Sequence, residues 1–86
     1  MIETRLLQYF LAVAREQNIT KAAKTLYITQ STLSKQMMDL ENQLGKKLFV
    51  RGKRKITLTE EGFFLKNRAQ EIIELLENTE TALQAE

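Results

Sequence analysis

Thr29-Gln30-Ser31-Thr32-Leu33-Ser34-Lys35-Gln36-Met37-Met38-Asp39-Leu40-Glu41-Asn42-Gln43-Leu44-Gly45 carries a narrow apolar seam. Leu33, Met37, Leu40 and Leu44 fall at i, i+4, i+7 and i+11. At about 100° per residue these four stay within roughly 60° of one another, so residues 30–44 are predicted to be helical with one buried stripe. Thr29 is a suitable N-cap, because its hydroxyl can accept from the free amides of the first turn. Gly45 suits the positive φ that ends a helix, and Lys46 and Lys47 complement the negative end of its dipole. Opposite the seam stand Ser31, Lys35, Met38 and Asn42, flanked by Thr32, Ser34 and Asp39, with Gln30 in the first turn.

Upstream, Leu6, Leu7, Phe10, Val13 and Ala14 recur at helical spacing, with Leu11 widening the face, and predict a helix over 4–17. Asn18-Ile19-Thr20 interrupts it, and Thr20 is the expected cap of a short helix over 21–27 that turns Ala22, Ala23 and Leu26 inward. The break at Tyr27-Ile28-Thr29 leads into the seam helix. Downstream, Leu48–Arg51 and Lys55–Leu58 read as two short strands joined by a tight turn at Gly52-Lys53-Arg54, a hairpin with a basic tip. Thr59 caps a last helix running to about residue 83, with Glu60 and Glu61 at its positive end. Leu65, Ala69, Ile72, Leu76, Thr79 and Leu83 alternate four and three apart, a heptad seam with Phe63, Phe64 and Ile73 beside it. Gly62 lies inside this helix, where it costs about 1 kcal/mol against Ala; close approach of another backbone would account for it.

A length of 86 residues bounds the chain to one small domain. It has no Cys and no His, which removes disulfides, thiolate metal sites and the commonest general base. No Ser/His/Asp arrangement, metal cluster or phosphate-cradling glycine loop is present, so neither an enzyme nor a bound cofactor or metal is expected. No apolar run approaches the roughly 18 residues of a membrane span, and no signal peptide opens the chain, so a cytoplasmic protein is expected. The net charge of +2 is unevenly distributed. Residues 20–58 hold nine bases against Asp39 and Glu41, whereas residues 59–86 hold Lys66 and Arg68 against seven glutamates. A basic middle is the footprint of a polyanion partner.

Two short helices, a three-residue break and a basic hairpin directly after the second helix are the order of a winged helix-turn-helix. The fold class is therefore mainly α: three helices and a two-stranded β wing over 1–58, then a long linker or dimerisation helix over 59–86. The exposed start of the seam helix is the end that enters a major groove in this motif. Glutamine can pair bidentately with adenine, lysine can reach guanine, and serine or threonine can serve either. Arg51, Lys53, Arg54 and Lys55 can straddle a phosphate ridge or enter the minor groove. Lys21 and Lys24 are further candidates for phosphate.

The segments Ala22-Ala23-x-x-Leu26, Thr29 to Met37, Leu40-Glu41-x-x-Leu44-Gly45-x-x-Leu48-Phe49-x-Arg51 and Arg54-x-Ile56-x-Leu58-Thr59-x-x-Gly62 resemble the N-terminal domain of LysR-type transcriptional regulators. Leu7-x-x-Phe10-x-x-Val13-Ala14 fits as well. The resemblance implies base contacts from Gln30, Ser31, Ser34 and Lys35, and backbone contacts from Thr29, Thr32, Arg51 and Arg54, to which the basic hairpin tip adds Lys53. Many family members carry proline at Ser31 and arginine at Lys35; lysine keeps the charge but loses the bidentate fork. The heptad seam of Leu65, Ala69, Ile72, Leu76 and Leu83 either pairs two last helices into a homodimer, as the dimerisation linker that the resemblance implies, or packs on the first helix of its own chain, and both can hold. The resemblance implies tetramers for intact proteins. Double-stranded DNA with an interrupted inverted repeat is the expected partner, which would associate the protein with the nucleoid. Family members sense a small co-inducer through a larger effector domain. Nothing in this sequence could be that sensor, so a piece of a regulator is expected. The competing reading is a helical protein-interaction module, which would explain the heptad helix but not the basic hairpin.

Overall fold

The computed structural model describes residues 1–85; Glu86, at the end of the expected linker, lies outside the described residues. The elements run α1 (Thr4–Glu16), α2 (Ile19–Leu26), α3 (Gln30–Leu44), β1 (Phe49–Arg51), β2 (Ile56–Leu58) and α4 (Glu60–Gln84). The strands are antiparallel, with Phe49 opposite Leu58, Val50 opposite Thr57 and Arg51 opposite Ile56. Among the described residues no helix is long and apolar enough to cross a membrane.

The core is built where the apolar stripes of the first three helices meet the start of the wing. Leu6, Phe10 and Val13 of α1, Ile19, Ala22 and Ala23 of α2, Leu33, Met37 and Leu40 of α3, and Leu48 and Phe49 form one buried cluster. The Phe10 and Phe49 rings meet in a tilted pair with centroids 5.3 Å apart. Leu44, the expected fourth member of the seam, is 37% exposed. It lies in the last turn of α3, past the end of the core, and lines a shallow apolar groove with Leu48, Phe64 and Leu65.

The start of α2 differs from the sequence expectation. Asn18, not Thr20, is the N-cap, and its side chain accepts from the Lys21 amide at 2.8 Å. Ile19 is buried and lies within the helix, which places the boundary two residues earlier. Asparagine caps as well as threonine does, so burial of Ile19 decides between them. Helix α1 stops at Glu16, because Gln17 takes the left-handed region at φ 55°. Its carbonyl then accepts from the Ile56 amide at 2.9 Å and ties the wing to the end of α1.

Three contacts converge on Leu48. Its amide donates to the Glu41 carboxylate at 2.7 Å, which explains a buried acid in α3. Its carbonyl accepts from the Thr59 amide at 3.0 Å. The same carbonyl lies against Gly62, where a Cβ would collide with its oxygen. The Thr59 hydroxyl accepts from the Gly62 amide at 3.0 Å and donates to the Lys47 carbonyl at 2.7 Å. Helix α4 thus starts pinned to Lys47 and Leu48, the residues that lead into β1.

The first half of α4 packs on α1 through Leu65 and the fully buried Ala69. The helix has 25 residues, about 37 Å at 1.5 Å each, and its second half projects from the body. The molecule accordingly measures 50 × 26 × 20 Å.

Two outcomes follow for stability in urea. Glu41→Ala leaves the buried Leu48 amide without its acceptor and is expected to cost about 1–3 kcal/mol, with Glu41→Gln milder because its oxygen still accepts. Gly62→Ala is expected to destabilise by about 1–3 kcal/mol, although alanine is the better helix former, because the obstructing atom is backbone and cannot rotate away. A Gly62→Ala chain as stable as the parent would show that α4 can shift off Leu48 freely.

Candidate nucleic-acid interface

The start of α3 presents Gln30, Ser31, Thr32 and Lys35 to solvent, with Ser34 half-buried between them. Thr29 accepts from the Thr32 amide at 3.2 Å and donates its hydroxyl to the Thr32 hydroxyl at 2.8 Å. It also lies 3.3 Å from the Ser31 hydroxyl. Thr29 therefore spends its hydroxyl on the cap and on holding its neighbours. Thr32 receives that bond and keeps its own O–H to give outward. Threonine at 29 is a positioning residue in this geometry rather than an outward donor.

The wing follows directly. The Gly52 amide donates to the Lys55 carbonyl at 3.0 Å, closing the turn that displays Lys53 and Arg54. Arg51, Lys53, Arg54 and Lys55 are all exposed. Between α3 and β1 runs an open groove of about 560 Å³, lined by Ser34, Met38, Glu41, Lys47, Phe49 and Arg51. The groove brings Ser34 of α3 together with Arg51 of β1, whereas Gln30, Ser31, Lys35, Lys53 and Arg54 do not line it. Lys47 was expected only to complement the α3 dipole; it lines this groove. Met38 is 56% exposed on the same wall as Ser34 and adds an apolar contact to a polar surface.

Charge pairing sharpens the picture. The ion pairs among the described residues are Arg5–Glu3, Arg15–Glu16 and Arg68–Glu71. None involves a base between residues 20 and 58, so all nine lack a carboxylate partner among the described residues. No cluster of His, Cys, Asp or Glu that could hold a metal occurs among the described residues.

The residues expected on a dimer seam divide. Leu65 is half-buried against α1, and Ala69 is fully buried by its own chain, so Ala69 has no surface to offer a second copy. The heptad pattern could not separate a face turned toward α1 from one turned outward, because both use the same period. Ile72 (45% exposed), Leu76 (39%) and Leu83 (82%) remain open, joined by Leu75 (69%), which lies off the heptad. The Arg68 guanidinium lies over the Phe64 ring at 5.2 Å.

Comparison with known proteins agrees with this geometry. The chain is 46% identical over 78 residues to the HTH-type transcriptional regulator BsdA of Bacillus subtilis, covering 90% of this chain and 27% of that protein. It is 47% identical over 77 residues to the Hca operon transcriptional activator HcaR of Escherichia coli, covering 90% of this chain and 26% of that protein. The chain thus spans about a quarter of the length of these relatives. Among solved structures, the BenM DNA-binding domain in complex with catB site 1 DNA superposes with a TM-score of 0.93 at 38% identity, covering 96% of this chain and 92% of that one. The CbnR DNA-binding domain in complex with DNA gives a TM-score of 0.92 at 37% identity, covering 96% of this chain and 95% of that one. Residues 4–63, from the first helix to the opening of α4, match the family of lysR-type bacterial regulatory helix-turn-helix proteins, and the chain belongs to that family.

Proposed function

We propose that this chain binds double-stranded DNA sequence-specifically as the DNA-reading part of a transcription regulator. Helix α3 enters the major groove and the wing tracks the backbone or the adjacent minor groove. The observation that carries this reading is the run of nine basic residues over 20–58, without carboxylate partners among the described residues, that flanks a helix start rich in hydrogen-bond donors. A solvated surface would scatter both signs of charge. The DNA complexes of the BenM and CbnR domains support it. A helical interaction module gives no reason for a wing whose tip carries only bases.

Gln30, Ser31, Ser34 and Lys35 read base edges, because their amide, hydroxyl and ammonium groups match the donor and acceptor pattern of the major groove. Thr32, Arg51, Lys53 and Arg54 bind phosphate and fix the register. Thr29 acts through Thr32. Two copies pair through Ile72, Leu76 and Leu83, the seam members still exposed, with Leu75 beside them. Twofold pairing displays two recognition helices and requires an inverted repeat with a spacer. A co-inducer acts through a domain other than this one, and DNA as the partner places the protein in the cytoplasm at the nucleoid.

Selection from random duplexes with the 86-residue chain should recover an interrupted inverted repeat. Replacing Gln30 or Lys35 by Ala should weaken binding to the selected duplex about tenfold and relax preference at particular positions. Arg54→Ala should weaken all duplexes alike and lower the salt slope by about one. Weak binding that stays indifferent to sequence, even with dimerisation forced by a fused zipper, would refute the reading.

Leu76→Lys places a charge on the exposed seam and should shift the chain toward monomer in analytical ultracentrifugation and make its melting temperature independent of concentration. An unchanged mass distribution would remove α4 from the interface.

A further inference from the structure

Helix α2 ends in a way its side chains do not require. The Tyr27 amide donates to the Lys24 carbonyl at 3.2 Å, and the Ile28 amide to the Ala23 carbonyl at 3.1 Å. This pair of bonds stops a helix when the residue after it is left-handed, and Tyr27 has φ 59°. Glycine or asparagine takes that backbone readily, whereas a β-carbon with a large ring is disfavoured there. At the ends of α1 and α3 the same conformation falls to Gln17, φ 55°, and Gly45, φ 69°, one polar and one without a side chain. Ile28, the next residue, packs against the core and completes the turn. The fold therefore needs the backbone of residue 27 and makes no use of its ring.

The ring is 95% exposed, the most exposed aromatic side chain of the molecule. Its surroundings are basic. Lys21 and Lys24 are exposed on α2 at three-residue spacing, with Tyr27 three residues further on, and no residue of α2 is acidic. Neither lysine is in an ion pair. Two residues beyond Tyr27 lies Thr29, the cap that opens the exposed donor face of α3. A disfavoured backbone kept under an exposed aromatic is the pattern of a residue retained for what it touches outside the fold.

We propose that Tyr27 is a DNA-backbone contact of the helix-turn-helix. Its phenol O–H donates to a phosphate oxygen on the strand bordering the groove that α3 enters, and its ring covers the neighbouring deoxyribose. Phosphate oxygens only accept, so a neutral O–H donor between two ammonium groups and a hydroxyl-rich helix start matches them. A tyrosine reaches such a position with few rotors to freeze. The inference rests on the DNA-reading function proposed above.

The test uses Tyr27→Asn and Tyr27→Phe in the 86-residue chain, with Lys35→Ala as the comparison. Fluorescence anisotropy on the labelled duplex recovered by selection is read beside thermal melting. Asparagine relieves the backbone, so Tyr27→Asn should melt no lower than the parent yet bind about tenfold more weakly. The loss should be equal on selected and scrambled duplexes, with an unchanged salt slope because no charge is removed. Tyr27→Phe should lose most of the same affinity. Binding by either variant within twofold of the parent, while Lys35→Ala loses affinity, overturns the contact and leaves the DNA-reading function standing. A clear fall in melting temperature for Tyr27→Asn also overturns it, since the ring would then serve the fold. A parent that binds no duplex selectively defeats the DNA-reading function and this contact with it.

Discussion

The peptide groups flanking Leu48 hold the three parts of the molecule together. One faces back to α3, where the Glu41 carboxylate takes its N–H at 2.7 Å. The other faces forward to α4, where the Thr59 amide donates to its carbonyl and Gly62 lets the helix backbone close on the same oxygen. The side chain itself is 1% exposed in the core. A charge-assisted bond across seven residues and a close backbone approach thus tie α3, the start of the wing and α4 to one another. A shift of any one of the three would break a buried hydrogen bond, which is costly to leave unmade. Glu41 also lines the groove between α3 and β1.

Much of this was legible because local signals agreed with one another. The Leu33, Met37 and Leu40 stripe, the Thr29 and Thr59 caps, the left-handed Gly45 and the close packing of Gly62 each follow from one residue type in one role. What escaped the sequence depends on tertiary position. Leu44 continues the stripe, but α3 outruns the core, and no periodicity tells where a core ends. Asn18 and Thr20 are equal caps until burial of Ile19 separates them. Glu41 reads as a solvated acid until the strand that follows supplies an amide for it. Ala69 shares its heptad with Leu76, yet one packs on α1 and the other remains open, because a single face serves two neighbours along its length.

The candidate site was legible in its chemistry and less so in its division of labour. Residue types at the start of α3 and at the wing tip pointed to a polyanion surface, and of these the groove between α3 and β1 gathers Ser34 and Arg51. Lys47 and Met38 line the same groove, although sequence reading assigned the lysine to a helix end. Tyr27 carried no sequence signal, because an aromatic at a helix break reads as ordinary until its backbone is known to be left-handed. The acids gather in α4 and the bases in residues 20–58, so the two charge regimes belong to different elements of the chain.

The hydroxyl pair at the start of α3 bears on the entropy of recognition. Thr29 fixes the Thr32 side chain by a 2.8 Å bond while the protein is free. Freezing a mobile side chain at an interface costs about 0.5–1.5 kcal/mol, and here the freezing is done during folding. The hydroxyl oxygen of Thr32 is thus placed before any partner arrives, while its own O–H stays free to turn. Its neighbour Lys35 has four rotatable bonds and no such restraint, so the two ends of this short helix face differ in rigidity: one is a fixed template and the other an adjustable arm. A surface of that kind holds its register at the rigid end while the flexible end accommodates variation in what it meets.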